Sequence, residues 1–444
     1  MIDVRNNQDE LYQLVSETLT EASRQGATAA EVSVNENVGL EVRVRRTELE
    51  TVEFSHDRGL AVSFYSGQRK GSASTTRFNK SSIVRTVEAA KNISKFTQED
   101  SCSGLADRKK MASQPQNDLG IFNFWSPEPH ELQDIAIECE SAGFSYDKRI
   151  VNSEGAQANS SQAIRVYGNS HGFSGGLFGT RHSLGCSLIA EDSKGMQQDY
   201  WYTIARNPND LLAHAAIGEE AARRAVSKLS PRKIATGVFP VLFSPDVANT
   251  LIGHLVTALS GGSLYRKASF LTNSLGEEVL NPHISIYEDP QLTGGFGSCH
   301  FDSEGVATVR KNFVENGRVT NYVLGSYSGR KLGMETTGNA GGVFNLKISG
   351  LTKSFDDMIC DMDRGLLVTH LMGQGVNLVT GDYSRGASGF WIEDGKLAFP
   401  ADELTIAGNL KDIYKDIQCI GDDPDNRGNF IIPSILVSNL MVAN

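Results

Sequence analysis

Residues 31–76, EVSVNENVGLEVRVRRTELETVEFSHDRGLAVSFYSGQRKGSASTT, carry the clearest structural pattern in the chain. Apolar residues recur at every second position: Val32 and Val34, then Leu40, Val42 and Val44, then Val52 and Phe54, then Leu60, Val62 and Phe64. A period of two is that of strands with one face in a core and one face in a polar setting. Asn35–Asn37, Asp57–Gly59 and Gly67 carry turn-forming side chains. They divide the stretch into short strands of an antiparallel meander.

On either side the period changes. Leu11, Leu14, Val15, Leu19 and Ala22 recur at helical spacing over 9–25, and Gly26 ends the pattern. Ile83, Val84, Val87, Ala90 and Ile93 predict a second amphipathic helix over 80–96. Segment 98–127 is polar, holds Cys102, Gly104 and Pro115, and ends in the aromatic group Phe122, Phe124 and Trp125. A helix over 129–143 (Leu132, Ile135, Ala136, Cys139), alternating strands over 149–206 and an Ala-rich helix over 209–229 follow. Helix, meander, helix therefore occurs twice, over 1–98 and 128–229, the pattern of an internal duplication.

Ser230–Lys233 reads as a hinge into a second domain. After a short strand at Val238–Phe243, Ser244-Pro245-Asp246 opens a helix over 245–260 that Gly261-Gly262 stops. Asn316-Gly317 and Asp394-Gly395 are hairpin signals, and a further helix is expected over 354–363. The expected fold is α+β in two domains. Residues 1–230 pack helices on antiparallel meanders, and residues 231–444 are mostly antiparallel, barrel-like sheet with few helices.

Composition narrows the function. A net charge of −11 excludes a general nucleic-acid binder, which needs a basic surface to neutralise phosphates. No apolar run approaches the roughly 18 residues of a membrane span. The first residues, MIDVRNNQDE, lack the basic and apolar stretches of a secretory signal, and six scattered cysteines form no C-x-x-C pair. A cytoplasmic location is expected, with no membrane and no nucleic-acid partner.

Motifs for catalysis are sparse. G-x-S-x-G matches surround Ser170 and Ser174, but glycines and more strand follow, where a nucleophile elbow needs a helix. None of the nine histidines has another three to five residues away, the usual helical metal spacing. His182 and Cys186 are four apart, but in a strand. Ser298–Gly305 is the window richest in ligand types, and reads either as a loop site or as a polar turn in which Asp302 and Glu304 bond backbone. A hydrolase centred on Cys299, His300 and Glu304 is a weaker reading of the same window. His254 stands alone on an apolar helix beside Gly253, whose helical cost of about 1 kcal/mol implies a packing or close-approach role. In 372–395, glycines alternate with other residues around a turn at Asp382, Tyr383 and Arg385. Such bare backbone suits tight sheet packing or a cleft in which an extended peptide adds as a strand.

Several stretches together resemble the PmbA/TldE branch of the TldD/PmbA family: YGNSHG (167–172), GGS-x-YRK-x-SF (261–270), SYSGRKLG (326–333), TGNAGG (337–342) and MGQGVNLVTGDYSRGASGFW (372–391). RKGSAST (69–75), FDSEGV (301–306) and IAGNLKDIY (406–414) add to the likeness, which covers nearly the whole chain. The resemblance implies a cytosolic heterodimeric metalloprotease acting on unfolded or small peptides, including removal of a peptide-antibiotic leader and turnover of an antitoxin. In that family the TldD-type chain carries an H-E-x-x-x-H helix. In the register of the following Gly-Gly and Tyr-Arg-Lys, the three motif positions fall here on Ile252, Gly253 and Thr257, none of them a strong zinc ligand. No cysteine occurs in the last twenty residues. The implied role is a subunit without catalytic or metal-ligating residues of its own. Zinc is expected on the TldD-type partner chain, and a homodimer when that partner is missing. His254, Asp382, Tyr383 and Arg385 are candidates for a peptide cleft. The alternative is a peptide-binding or regulatory protein with no proteolytic assembly.

Overall fold

The computed structural model describes residues 2–113 and 117–444, so Pro115 lies outside the described residues. The N-terminal part runs α1 (Gln8–Arg24), β1 (Ala29–Arg45), β2 (Glu48–Ser66), β3 (Arg69–Thr75), α2 (Lys80–Phe96), α3 (Pro129–Tyr146), β4 (Ile150–Asn169), β5 (Ser174–Asp192), β6 (Gly195–Ala205) and α4 (His214–Ser227). Its six strands form one antiparallel sheet in the order β3-β2-β1-β4-β5-β6. All four helices cover the same face. Val32, Val34 and Val38 of β1 pack with α1 and α2, while Leu40, Val42 and Val44 pack with α3 and α4. Gly143 and Gly218 bring α3 and α4 into contact, since a Cβ on Gly218 would strike the Cys139 carbonyl.

Two turns expected in the meander do not form. β1 and β2 run unbroken through Asn35–Asn37 and Asp57–Gly59. The polar residues sit where the helix layer changes from one pair to the other. There the fully buried Glu36 carboxylate accepts from Asn7 Nδ2 at 2.9 and 3.0 Å and lies 2.6 Å from His56 Nε2. A buried charge needs such partners, and the neighbours across strand and helix supply them. The actual turn is Arg46-Thr47, both with positive φ (53° and 62°). It carries no Asn-Gly signal. Instead the buried Glu140 of α3 accepts the Arg46 and Thr47 N–H groups at 3.0 and 2.6 Å. The α4 helix starts later than 209 because Asn207-Pro208 makes a short 3₁₀ turn first.

The C-terminal part contains β7 (Gly237–Phe243), α5 (Pro245–Ala258), α6 (Gly261–Tyr265), β8 (Ser285–Glu288), β9 (Lys311–Glu315), β10 (Arg318–Val319), α7 (Ser326–Leu332), β11 (Leu346–Ser349), α8 (Phe355–Cys360), β12 (Arg364–Met372), β13 (Asp382–Glu393), β14 (Lys396–Asn409), α9 (Leu410–Lys415), β15 (Ile417–Ile420), β16 (Phe430–Ile431) and β17 (Ile435–Ala443). Strands β14, β13, β12, β7 and β17 pair in sequence, and β14 pairs again with β17, closing a five-stranded barrel. The architecture is α+β with a barrel, as expected. A second sheet, β10-β9-β8-β11-β16, lies beside it. The Asn316-Gly317 and Asp394-Gly395 hairpins form between β9 and β10 and between β13 and β14. Gly261-Gly262 do not simply end a helix: Ser260 caps a new short helix there, its hydroxyl accepting from Ser263 N. Asp382, Tyr383 and Arg385 belong to β13 and not to a turn.

Between α2 and α3, residues 97–113 contact the C-terminal part. Arg330 of α7 donates to the carbonyls of Cys102 (2.7 Å), Gly104 (2.7 Å) and Leu105 (3.0 Å). Ala112 N donates to Gly305 O, and Ala307 N donates to Lys110 O.

Candidate functional site

The helix-free face of the N-terminal sheet looks onto the C-terminal part across a cleft of about 1250 Å³. Strand alternation builds its first wall. Val32, Phe64 and Val166 point to the helices, so Glu31, Tyr65 and Tyr167 point the other way into the cleft. The second wall comes from loops of the C-terminal part: Ser260–Gly262, Ser303-Glu304, Tyr327 and Asn339–Gly342. Residues of the 97–128 connection, Asp100 among them, close one side.

Charge in this cleft is organised. Burial opposes ionisation of Glu31, but the Lys70 ammonium at 2.9 Å and the Tyr65 and Tyr167 hydroxyls, each at 3.0 Å, hold its carboxyl below the usual range. Burial and the Glu31 charge push both phenols up, so they remain donors. At the rim, Asp100 is lowered to about 2 by the Cys102 N–H, Tyr327 (2.7 Å) and Lys331 (3.0 Å). Opposite them, Gly341 and Gly342 have φ of 101° and 122°, which leaves main-chain groups without covering side chains. Polar walls, fixed charges and bare backbone can hold an extended main chain by hydrogen bonds.

The Ser298–Gly305 window is a structural turn. The Asp302 carboxylate accepts from the backbone of Glu304 (2.9 Å), Val306 (3.0 Å) and Ala340 (2.9 Å), and Glu304 accepts from Ser326 N at 2.8 Å. Burial pushes Asp302 up to about 6 and the Cys299 thiol up to about 12. Such a thiol is no nucleophile at neutral pH, and no hydrogen bond joins Cys299, His300 and Glu304 among the described residues. Ser170 lies in the β4–β5 hairpin, and its hydroxyl accepts from Ala30 N at 3.0 Å.

On α5 the three motif positions diverge. Ile252 is fully buried in the core, while Thr257 is exposed and donates to Gly253 O at 2.8 Å. An aliphatic side chain, a glycine and a hydroxyl already spent on its own helix do not fit a zinc ion. Neither packing nor close approach within the fold explains Gly253, since a Cβ there would meet nothing within 4 Å among the described residues. Gly253→Ala should therefore stabilise the isolated chain by about 0.5–1 kcal/mol, measured by denaturant unfolding.

The cleft candidates from sequence are brought together only in part. The His254 and Tyr383 rings lie 6.2 Å apart, edge to face, and both His254 Nε2 and the Tyr383 hydroxyl lack a partner among the described residues. Burial, with Arg385 second, lowers the His254 pKa, and burial pushes Tyr383 up to about 12. Arg385 donates to Met372 O at 3.1 Å. Asp382, one residue from Tyr383 in β13, projects from the other face and bonds Thr380 and Asn409. None of the four lines the large cleft. Of the residues that do line it, Ser303 and Glu304 fall in the ligand-rich 298–305 window, whereas those on the sheet were missed because a polar strand face reads as a solvated one. The sequence signal of the lining was membership of resembling stretches: RKGSAST and YGNSHG on the sheet, and GGS-x-YRK-x-SF, FDSEGV, SYSGRKLG and TGNAGG on the facing wall.

Comparison with known proteins gives three successive matches to the PmbA/TldA metallopeptidase family: domain 1 over residues 30–94, the central domain over 122–229 and the C-terminal domain over 236–444. The chain is 45% identical to the metalloprotease PmbA of Escherichia coli O157:H7 over 98% of its own length and 96% of that protein. It is 44% identical to a metalloprotease PmbA homolog of Haemophilus influenzae, covering 99% and 97% of the two chains. Among solved structures, a Bacteroides thetaiotaomicron protein described as a candidate modulator of DNA gyrase superposes with a TM-score of 0.93 at 27% identity, covering 98% and 99%.

Proposed function

Because this chain belongs to the PmbA/TldD metallopeptidase family, we propose that it is the PmbA/TldE-type subunit of a two-chain cytosolic metalloprotease, without metal or general base of its own. One observation carries the reading. At the positions where the resemblance places the zinc helix, α5 presents a buried isoleucine, a glycine and a self-bonded threonine. A TldD-type partner would supply the metal site. This chain would supply a cleft that holds an unfolded peptide extended, with Glu31 and its phenols, the Asp100–Lys331 rim and the 338–342 backbone as anchoring groups. Peptide-antibiotic leaders and antitoxins are substrates of the expected kind. Six free cysteines suit a reducing compartment.

The experiment is reconstitution. The purified chain alone should leave an unfolded peptide intact and hold no stoichiometric zinc, while its mixture with a TldD-type chain should cleave the peptide until a chelator is added. Cleavage by the lone chain that a chelator abolishes would defeat the reading. Peptide binding with no complex formed would favour a regulatory protein instead.

A further inference from the structure

A second cavity, of about 720 Å³, lies between β6 and α4 on one side and the barrel on the other, and shares no lining residue with the cleft. Its volume falls within the range of about 300–1,000 Å³ typical of ligand sites, and domain junctions are where such sites concentrate. Phe355, Leu367, Phe390 and Phe399 form an apolar wall, with Leu397 exposed at the mouth.

The polar end is distinctive for what is paired and what is not. Asp199 holds Lys228 at 2.8 Å and Arg224 at 3.3 Å, while Asp246 holds Arg224 at 3.2 Å and also Arg427. Asp425 also holds Arg427, at 2.8 Å, so three carboxylates face three cations. Arg224 Nε, 3.3 Å from Asp199, is ion-paired without a hydrogen bond, and two hydroxyls have no pairing of either kind. Ser244 Oγ and Thr369 Oγ1 are buried with no hydrogen-bond partner among the described residues, and the Ser244 residue is more than nine-tenths buried. Ser244 has the backbone of a cap residue at the start of α5, yet its side chain makes no capping bond. Buried polar groups are nearly always satisfied, so a pair of orphans facing one cavity marks the place of an external partner.

We propose that this cavity binds an uncharged amide carrying a bulky apolar side chain, that is, an internal segment of an unfolded peptide held outside the main cleft. The assignment rests on the peptide-handling reading above. A hydroxyl can both donate and accept, which matches an amide C=O and N–H. The apolar wall matches an aromatic or branched side chain. The internally cancelled charges offer nothing to a free carboxylate or ammonium end.

Saturation-transfer NMR on the full chain tests this with N-acetyl-Ala-Phe-Ala-amide, its Gly counterpart and its free-carboxylate form. The capped Phe peptide should bind at least about tenfold tighter than either. The double variant Ser244→Ala/Thr369→Val should lose that preference with an unchanged or higher unfolding midpoint, since the hydroxyls have no partner in the fold. Leu397→Trp, at the exposed mouth, should block binding by a second route. Equal binding in all variants, preference for the carboxylate, or a fall in the Ser244→Ala midpoint would overturn the assignment. The subunit reading fails separately. Hydroxyl-dependent peptide binding without cleavage by the two-chain mixture sinks that reading alone, and normal cleavage without such binding sinks the site alone.

Discussion

The triple variant Ile252→His/Gly253→Glu/Thr257→His is expected to bind no stoichiometric zinc and to lose about 3–5 kcal/mol of stability. α5 is continuous α-helix from Pro245 to Ala258. On such a helix, side chains five residues apart point roughly 140° from each other. Position 252 faces the core with no exposure, and position 257 faces out. An imidazole at 252 would exchange an aliphatic contact for a buried polar group with no partner, and could not meet one at 257 without unwinding the helix. Metal analysis of the folded variant with chemical denaturation checks both parts. One tightly held zinc per chain at undiminished stability would show that α5 can distort at no cost to bring positions 252 and 257 onto one ion, against the regular helix described here.

Lys311→Met should be nearly as damaging, about 3–5 kcal/mol, because it strands a buried carboxylate. Glu288 has no exposed surface, and its partners are Lys311 Nζ at 2.6 Å, Asn339 Nδ2 at 2.9 and 3.0 Å and Phe344 N at 2.8 Å. Burial already raises the Glu288 pKa despite the lysine. With the lysine gone it rises further, so folded Glu288 takes a proton more readily than unfolded Glu288. Acidification then favours the folded state, and the loss should be full near pH 8 and shrink as pH falls towards 5. Lys311→Met/Glu288→Gln should recover most of the stability, as removal of both charges from a buried pair often does. A loss independent of pH would mean that packing, not charge, holds this corner. Asn339 also lines the cleft, so the single variant should weaken peptide cleavage by the reconstituted complex beyond what its unfolded fraction explains.

What could be seen in the sequence was what is local. The two-residue phase of β1, the stripes of α1 and α2, the opening of α5 and the Asn-Gly and Asp-Gly hairpins each depend on neighbours a few residues away. The continuity of β1 was not visible. Glu36 sits mid-strand only because Asn7 and His56 reach it from elsewhere. The Arg46-Thr47 turn likewise depends on Glu140, some ninety positions along the chain. Helix α7, seven residues with an internal glycine, carries no stripe to detect. The cleft was hidden for the same reason. Nothing near Glu31 or Lys70 in the chain announces that the C-terminal part stands across from them.

The grip of Arg330 on three carbonyls of the connecting segment, those of Cys102, Gly104 and Leu105, bears on what the cleft can admit. A hinged jaw opens by swinging about a loose joint, whereas here the connecting segment is riveted to the C-terminal part. Widening the slot would first strip three charge-assisted bonds from one guanidinium. On the reading proposed above, such a slot would sort by cross-section: a single threadlike chain would pass, and a globule would have to come undone before entering.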